Sequence, residues 1–136
     1  MTIADDFVAA ARAYIGTPFH HQGRMPDVGL DCAGVIVCAA AACGIFIEDQ
    51  QGYGRIPSNG LLQQAVEKHC VRVDTSSVET GDIMLFAFRN EPQHLAVYDH
   101  GLLIHAYSDV NRVVENSFDE TWQHRLRGCW RLKGAV

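Results

Sequence analysis

Cys32, His94 and His105 are the side chains in this sequence whose types and settings suit nucleophilic chemistry. Cys32 opens the apolar run CAGVIVCAAAACGI directly after Asp31. A thiol at the first turn of a helix faces unpaired backbone N–H groups and the positive end of the helix dipole, which favour thiolate over thiol. The sequence therefore predicts a lowered pKa for Cys32. Cys38 and Cys43 lie inside the same run and read as buried structural thiols. A thiolate nucleophile needs a proton acceptor, normally a His whose ring is fixed by a third polar group. His94 and His105 are the candidates for these two roles.

Whether the two imidazoles meet depends on the turn between them. The stretch LAVYDHGLLI holds two apolar runs around His100-Gly101, which suits a two-residue hairpin loop with Gly supplying positive φ. That loop pairs Asp99 with Leu102 and sets His105 opposite Ala96, on the face from which His94 also projects. A three-residue loop over Asp99, His100 and Gly101 would instead set His105 opposite Leu95, on the other face unless a bulge restored the register. Zinc binding by Cys32, His94 and His105 is a further option for these residue types, with little support from their spacing.

The elements that must carry these residues follow from periodicity. Ile3, Phe7, Val8, Ala11, Tyr14 and Ile15 recur at helical spacing, Thr2 with Asp5 resembles a capping box, and Gly16 with Pro18 ends the pattern, so a helix is expected over 3–15. A loop rich in His, Gly and Pro spans Thr17 to Leu30. The run from Cys32 to Gly44, apolar on every face, reads as a buried helix with Asp31 as its N-cap. A third helix is expected over 60–68, after Pro57-Ser58-Asn59. Short β-type runs follow at Cys70–Val73, Ile83–Phe88, Leu95–Tyr98, Leu102–Tyr107, Arg112–Glu115 and Cys129–Leu132. Helices first and an antiparallel sheet after predict an α+β domain. Trp122 and Trp130 read as core or sheet-packing aromatics, and Arg125, Arg127 and Arg131 as a solvated face, with a docking surface for a partner protein as the alternative.

Composition narrows the classes of function. The chain has 136 residues, 48% of them hydrophobic, which is the length and apolar content of a single domain with a real core. A formal net charge of −5 argues against a general affinity for nucleic acid or anionic membrane surfaces. The odd number of cysteines, five, without a C-x-x-C pair, suggests neither a disulfide framework nor a zinc ribbon. Acidic residues stand where a signal peptide would be positive and no apolar run approaches a membrane span, so folding in a reducing cytoplasm is expected.

The order and spacing of Asp31-Cys32-Ala33-Gly34 opening a buried helix, Gly81-Asp82 before the strand IMLF, His94-Leu-Ala-Val-Tyr98, and His105-Ala106 after a hairpin resemble the NlpC-type family of papain-like cysteine peptidases. The segment from Gly16 to Ile36 is similar to the branch of that family found in phage tail modules and gene-transfer particles. The resemblance implies a papain-like α+β fold in which Cys32 is the nucleophile, His94 the general base and His105 the polar residue that orients it. It also puts Tyr14 where the family keeps a tyrosine near the site, with Asp31 beside the nucleophile as a tentative substrate or oxyanion contact. The substrate it implies is the peptide stem of bacterial peptidoglycan, cut without metal or organic cofactor. A chain of this kind would be carried by phage-like tail proteins, and act in the periplasm or wall of the recipient cell. Ala33 departs from the Ser that many wall-cutting members have after the Cys. A latent tail component, or an acyltransferase or amidase on the same fold, are the competing functions.

Overall fold

The structure, a computed structural model, describes residues 2–49 and 60–135. Its first helix, α1 (Ile3–Ala13), begins at the expected capping box, with Thr2 and Asp5 bonding each other's backbone N–H. It ends two residues earlier than the apolar pattern suggested, because Tyr14 is already the C-cap. The loop that follows contains two very short strands, β1 (Arg24–Met25) and β2 (Gly29–Leu30), paired antiparallel. Next comes α2 (Cys32–Ala42), whose N-cap is Asp31, as its sequence position predicts. Helix α3 spans Leu61–His69. Pro57, Ser58 and Asn59, expected to introduce it, lie outside the described residues.

From Cys70 the chain forms one sheet: β3 (Cys70–Val73), β4 (Ile83–Phe88), β5 (Glu91–Asp99), β6 (Leu102–Tyr107), β7 (Arg112–Ser117) and β8 (Leu126–Leu132), in the spatial order β3-β8-β4-β5-β6-β7. All neighbours are antiparallel. Between β7 and β8 lies α4 (Glu120–Arg125), a short helix that the sequence reading missed. The expected α+β class is thus what the chain adopts.

Strand alternation divides the core between the two faces of the sheet. Leu95, Val97, Ile104 and Ala106 turn to one side and pack with Phe7, Val35, Leu62 and Val66 of α1, α2 and α3. Met84, Phe86, Ala96 and Leu103 turn to the other, where Trp122 of α4 covers them. Trp130 is fully buried on the helical side, so both tryptophans are core residues as expected.

The three arginines do not form a solvated face. Arg131 grips the buried carboxylate of Asp82 through Nε at 2.8 Å and Nη2 at 2.9 Å. Arg125 lies over the rings of Trp122 and Phe88, at 4.8 and 5.3 Å from their centroids, and Arg127 alone of the three is exposed. The Arg125 guanidinium thus rests on aromatic faces, which charge alone does not reveal.

Candidate active site

The β5–β6 hairpin turns on two residues. His100 and Gly101 both have positive φ, at 46° and 85°, and Asp99 pairs with Leu102, Tyr98 with Leu103 and Val97 with Ile104. This is the two-residue register, and it directs His94 and His105 to the same face. His94 Nε2 lies 2.6 Å from His105 Nδ1. The other ring nitrogen of His105, Nε2, lies 2.5 Å from Oδ1 of Asn116 on β7. Both imidazoles are buried, and Phe88 and Tyr107 stack against them while the Trp122 ring meets His105 edge-on.

Cys32 approaches from the opposite layer. The helix that carries it packs on the face away from the imidazoles, yet the thiol reaches the sheet at the gap between β5 and β6, which pair no further than Val97 and Ile104. The N–H of Tyr98 bonds to Asp82 on the β4 side, so strand alternation aims the Leu95 N–H towards β6, where the ladder has opened. That N–H, together with that of Ala33, favours the anionic form of the Cys32 sulfur. Leu95 is the next residue after His94, so the thiol sits at the backbone position adjoining the imidazole.

Asp31 and Gly34 hold this end of α2 against the preceding loop. The Asp31 carboxylate accepts from the N–H of Gly34 at 2.8 Å, from Gln22 N–H at 2.9 Å and from Arg24 Nη1 at 2.8 Å. Gly34 passes so close to the Gly23 carbonyl that a Cβ would collide with it. The loop from 17 to 30 is thereby clamped across the helix start. Tyr14 lies half-buried against the helical core, where burial raises its phenol and the nearby sulfurs of Cys38 and Cys43 add to the rise.

The electrostatics differ from the sequence expectation in one respect. Cys32 retains some exposed surface, but burial of its thiol, reinforced by the Asp31 carboxylate, pushes it up to about 12. Hydrogen bonds from Leu95 and Ala33 and the charge of Arg24 pull the other way without offsetting the desolvation. Burial likewise drives His94 well below the ordinary imidazole value, with His105 and Arg125 adding to the fall. His105 is lowered too, chiefly by burial. The resting site is consequently a neutral thiol beside a neutral imidazole pair, not a preformed thiolate–imidazolium pair.

This has a kinetic signature, because alkylation follows the thiolate fraction. Without substrate, the alkylation rate of Cys32, followed by mass spectrometry, is expected to rise about tenfold per pH unit between about pH 6 and 9. A plateau beginning near about pH 5 would show that an ion pair prevails instead.

Ala33 and Leu95 also line a groove between α2, α3 and β5, with Ile36, Val37, Leu62 and Val66 as further walls and Arg24, Glu48, Asp49 and His69 lining it as well. Among the described residues no three His, Cys, Asp or Glu side chains converge as a metal centre requires.

A family model matches residues 16–131 of this chain, described as "NlpC/P60 family". The chain belongs to the NlpC/P60 family. Solved structures share its fold. An NlpC/P60 family protein from Bacillus cereus superposes with a TM-score of 0.74 at 23% identity, over 95% of this chain and 40% of that one. The NlpC/p60 domain of the peptidoglycan hydrolase SagA gives 0.71 at 21% identity, over 95% and 98%. The peptidoglycan hydrolase RipB from Mycobacterium tuberculosis gives 0.68 at 17%, over 95% and 64%. This NlpC/P60 chain therefore spans less than two thirds of the Bacillus and Mycobacterium proteins. No curated protein sequence matches it.

Sequence reasoning missed Asn116 in this NlpC/P60 site. With β7 expected to stop at Glu115, Asn116 fell outside the sheet. Two more residues of strand put it on the face of Val114, diagonal to His105. It also missed Trp122 as a cover for the imidazoles. The signal for Trp122 was present in Asp119, an N-cap whose carboxylate accepts from Trp122 N–H at 3.1 Å.

Proposed function

We propose that this NlpC/P60 domain is a cysteine peptidase that hydrolyses a peptide bond in the stem peptide of bacterial peptidoglycan. The observation that carries the reading is the buried His94–His105 pair, at 2.6 Å, beside the backbone position that holds the Cys32 thiol. Family membership and the peptidoglycan hydrolases of the same fold supply the substrate class. A carbonyl entering at Cys32 meets a thiol that gives up its proton to His94 as sulfur attacks. The N–H groups around the sulfur, from Ala33 and Leu95, are placed to stabilise developing negative charge. His94 then protonates the leaving amine, and water releases the acyl group from sulfur. An apolar wall at Ala33, where related enzymes carry a hydroxyl, favours a substrate held beside the thiol by contact area more than by a hydrogen bond to that position.

The similarity of the segment from Gly16 to Ile36 to the phage-associated branch supports delivery by a phage-like tail, with cleavage as the particle crosses the recipient's wall. Absence of the protein from purified particles would exclude that route.

Digestion of purified peptidoglycan, with the released fragments identified by mass spectrometry, tests the activity. The expected products carry a new free amine within the stem peptide. His105→Ala is expected to give the same products with kcat lower by about 10²–10⁴-fold, since the base remains but its orienting partner is lost. Products cut only in the glycan strands, or intact stem peptides after digestion, would refute the reading.

A further inference from the structure

We infer that Asn116 is a positioning residue that fixes which nitrogen of His94 carries the proton. The Asn116 side-chain amide donates through Nδ2 to the carbonyl of Ser117 at 3.1 Å, so Oδ1 is the atom turned towards His105. An amide oxygen only accepts, and His105 Nε2 must therefore carry a proton. A neutral imidazole has one N–H, which leaves Nδ1 of His105 as an acceptor. The atom facing it, at 2.6 Å, is Nε2 of His94. That nitrogen must be the donor, and Nδ1 of His94 is left with its lone pair free for a proton from elsewhere.

The two imidazoles alone do not select this state. Reversing both protons would preserve the bond between them, with His105 donating from Nδ1 and His94 accepting at Nε2. In that state His94 Nδ1 would hold a proton and could not act as a base. The carbonyl oxygen of Asn116 breaks the symmetry, because reversal would set two acceptors against each other at its end of the chain. Both rings are buried, and His105 is additionally stacked on Tyr107 at 5.3 Å between centroids, so neither ring can turn freely to exchange its nitrogens. Register supplies the rest: Asn116 lies opposite Leu103 on β7, on the face shared by His105.

This inference rests on the peptidase reading for its catalytic meaning, but the tautomers can be read without any substrate. Nitrogen-15 NMR of the imidazoles at neutral pH, through their two-bond nitrogen–proton couplings, is expected to show Nε2–H for both His94 and His105. Asn116→Ala is expected to populate Nδ1–H forms and to lower kcat on stem peptide about 10- to 100-fold, with KM within about 3-fold. Asn116→Asp, which keeps an acceptor at the same place, is expected to restore both the tautomers and kcat to within about 3-fold. Were Asn116→Ala unable to fold, the wild-type spectrum alone would decide. Finding Nδ1–H on either wild-type ring, or unchanged tautomers and kcat in Asn116→Ala, would overturn the inference. The expected tautomers in a protein that leaves stem peptides intact would overturn the peptidase reading and leave the proton order standing.

Discussion

Cys32→Ala is expected to lower kcat on stem peptide by about 10⁵–10⁶-fold, to the level that binding and backbone donors alone sustain. Covalent catalysis divides peptide hydrolysis into two easier steps, and removing the sulfur removes both. The remaining apparatus should survive the substitution. Asp31 caps α2 through Gly34, the loop from 17 to 30 is clamped by Asp31 and Arg24, and the imidazole pair belongs to the sheet. Thermal unfolding should consequently change little, and the loss can be read as chemistry. Progress curves for fragment release, run beside melting curves, make the comparison. Retention of more than about a hundredth of the wild-type rate, against the loss expected for a nucleophile, would move the nucleophile elsewhere. Cys38 would be a poor substitute, since its sulfur already donates to the Arg24 carbonyl at 3.3 Å.

The neutral resting state gives this loss a particular meaning. A thiol pushed up to about 12 contributes almost no thiolate at neutral pH, so in the proposed mechanism the reactive anion is made when substrate arrives. Water displaced by a peptide backbone would leave the Leu95 and Ala33 N–H groups as the principal local stabilisers of negative charge. In the same proposed mechanism His94, itself lowered by burial, accepts the proton as that charge moves on to the substrate oxygen. Such a site is expected to react slowly with small oxidants and electrophiles until a substrate occupies it.

Much of this arrangement was legible in residue spacing. The two-residue hairpin at His100-Gly101 determined which face His105 takes, and Asp31 marked the helix start that carries Cys32. Both signals are local, a turn chemistry and a cap, and local signals survive folding. The Cys32 pKa was not legible, because the helix end was weighed and the burial imposed by β5, β6 and the clamped loop was not. Asn116 and α4 escaped because a six-residue helix is too short to show a period, and strand ends are set by partners that the sequence does not display. Arg131 was misread for a similar reason: its partner, Asp82, is 49 positions away in the chain.

That ion pair carries the second large effect. Asp82 is fully buried, and its carboxylate accepts from Arg131 Nε and Nη2 and from the Glu79 N–H at 2.8 Å. Arg131→Met removes the counter-charge but leaves the carboxylate inside, and is expected to cost about 3–5 kcal/mol. For a chain of this length that corresponds to a fall in Tm of about 10–20 °C. Asp82→Leu alone leaves a guanidinium with partial exposure, which water can solvate, so a smaller loss is expected. The double variant Asp82→Leu/Arg131→Met should be more stable than Arg131→Met by itself, since no unpaired charge remains buried. Asp82 also ties its own carbonyl to the Tyr98 N–H at 2.9 Å, a backbone bond that holds β5 in register and survives either substitution. The site should accordingly keep its geometry in whatever fraction of each variant folds, and kcat per folded molecule should stay close to wild type. Additive losses in the double variant, measured by urea denaturation, would show that the two residues act independently and that the buried carboxylate is not what makes Arg131 necessary.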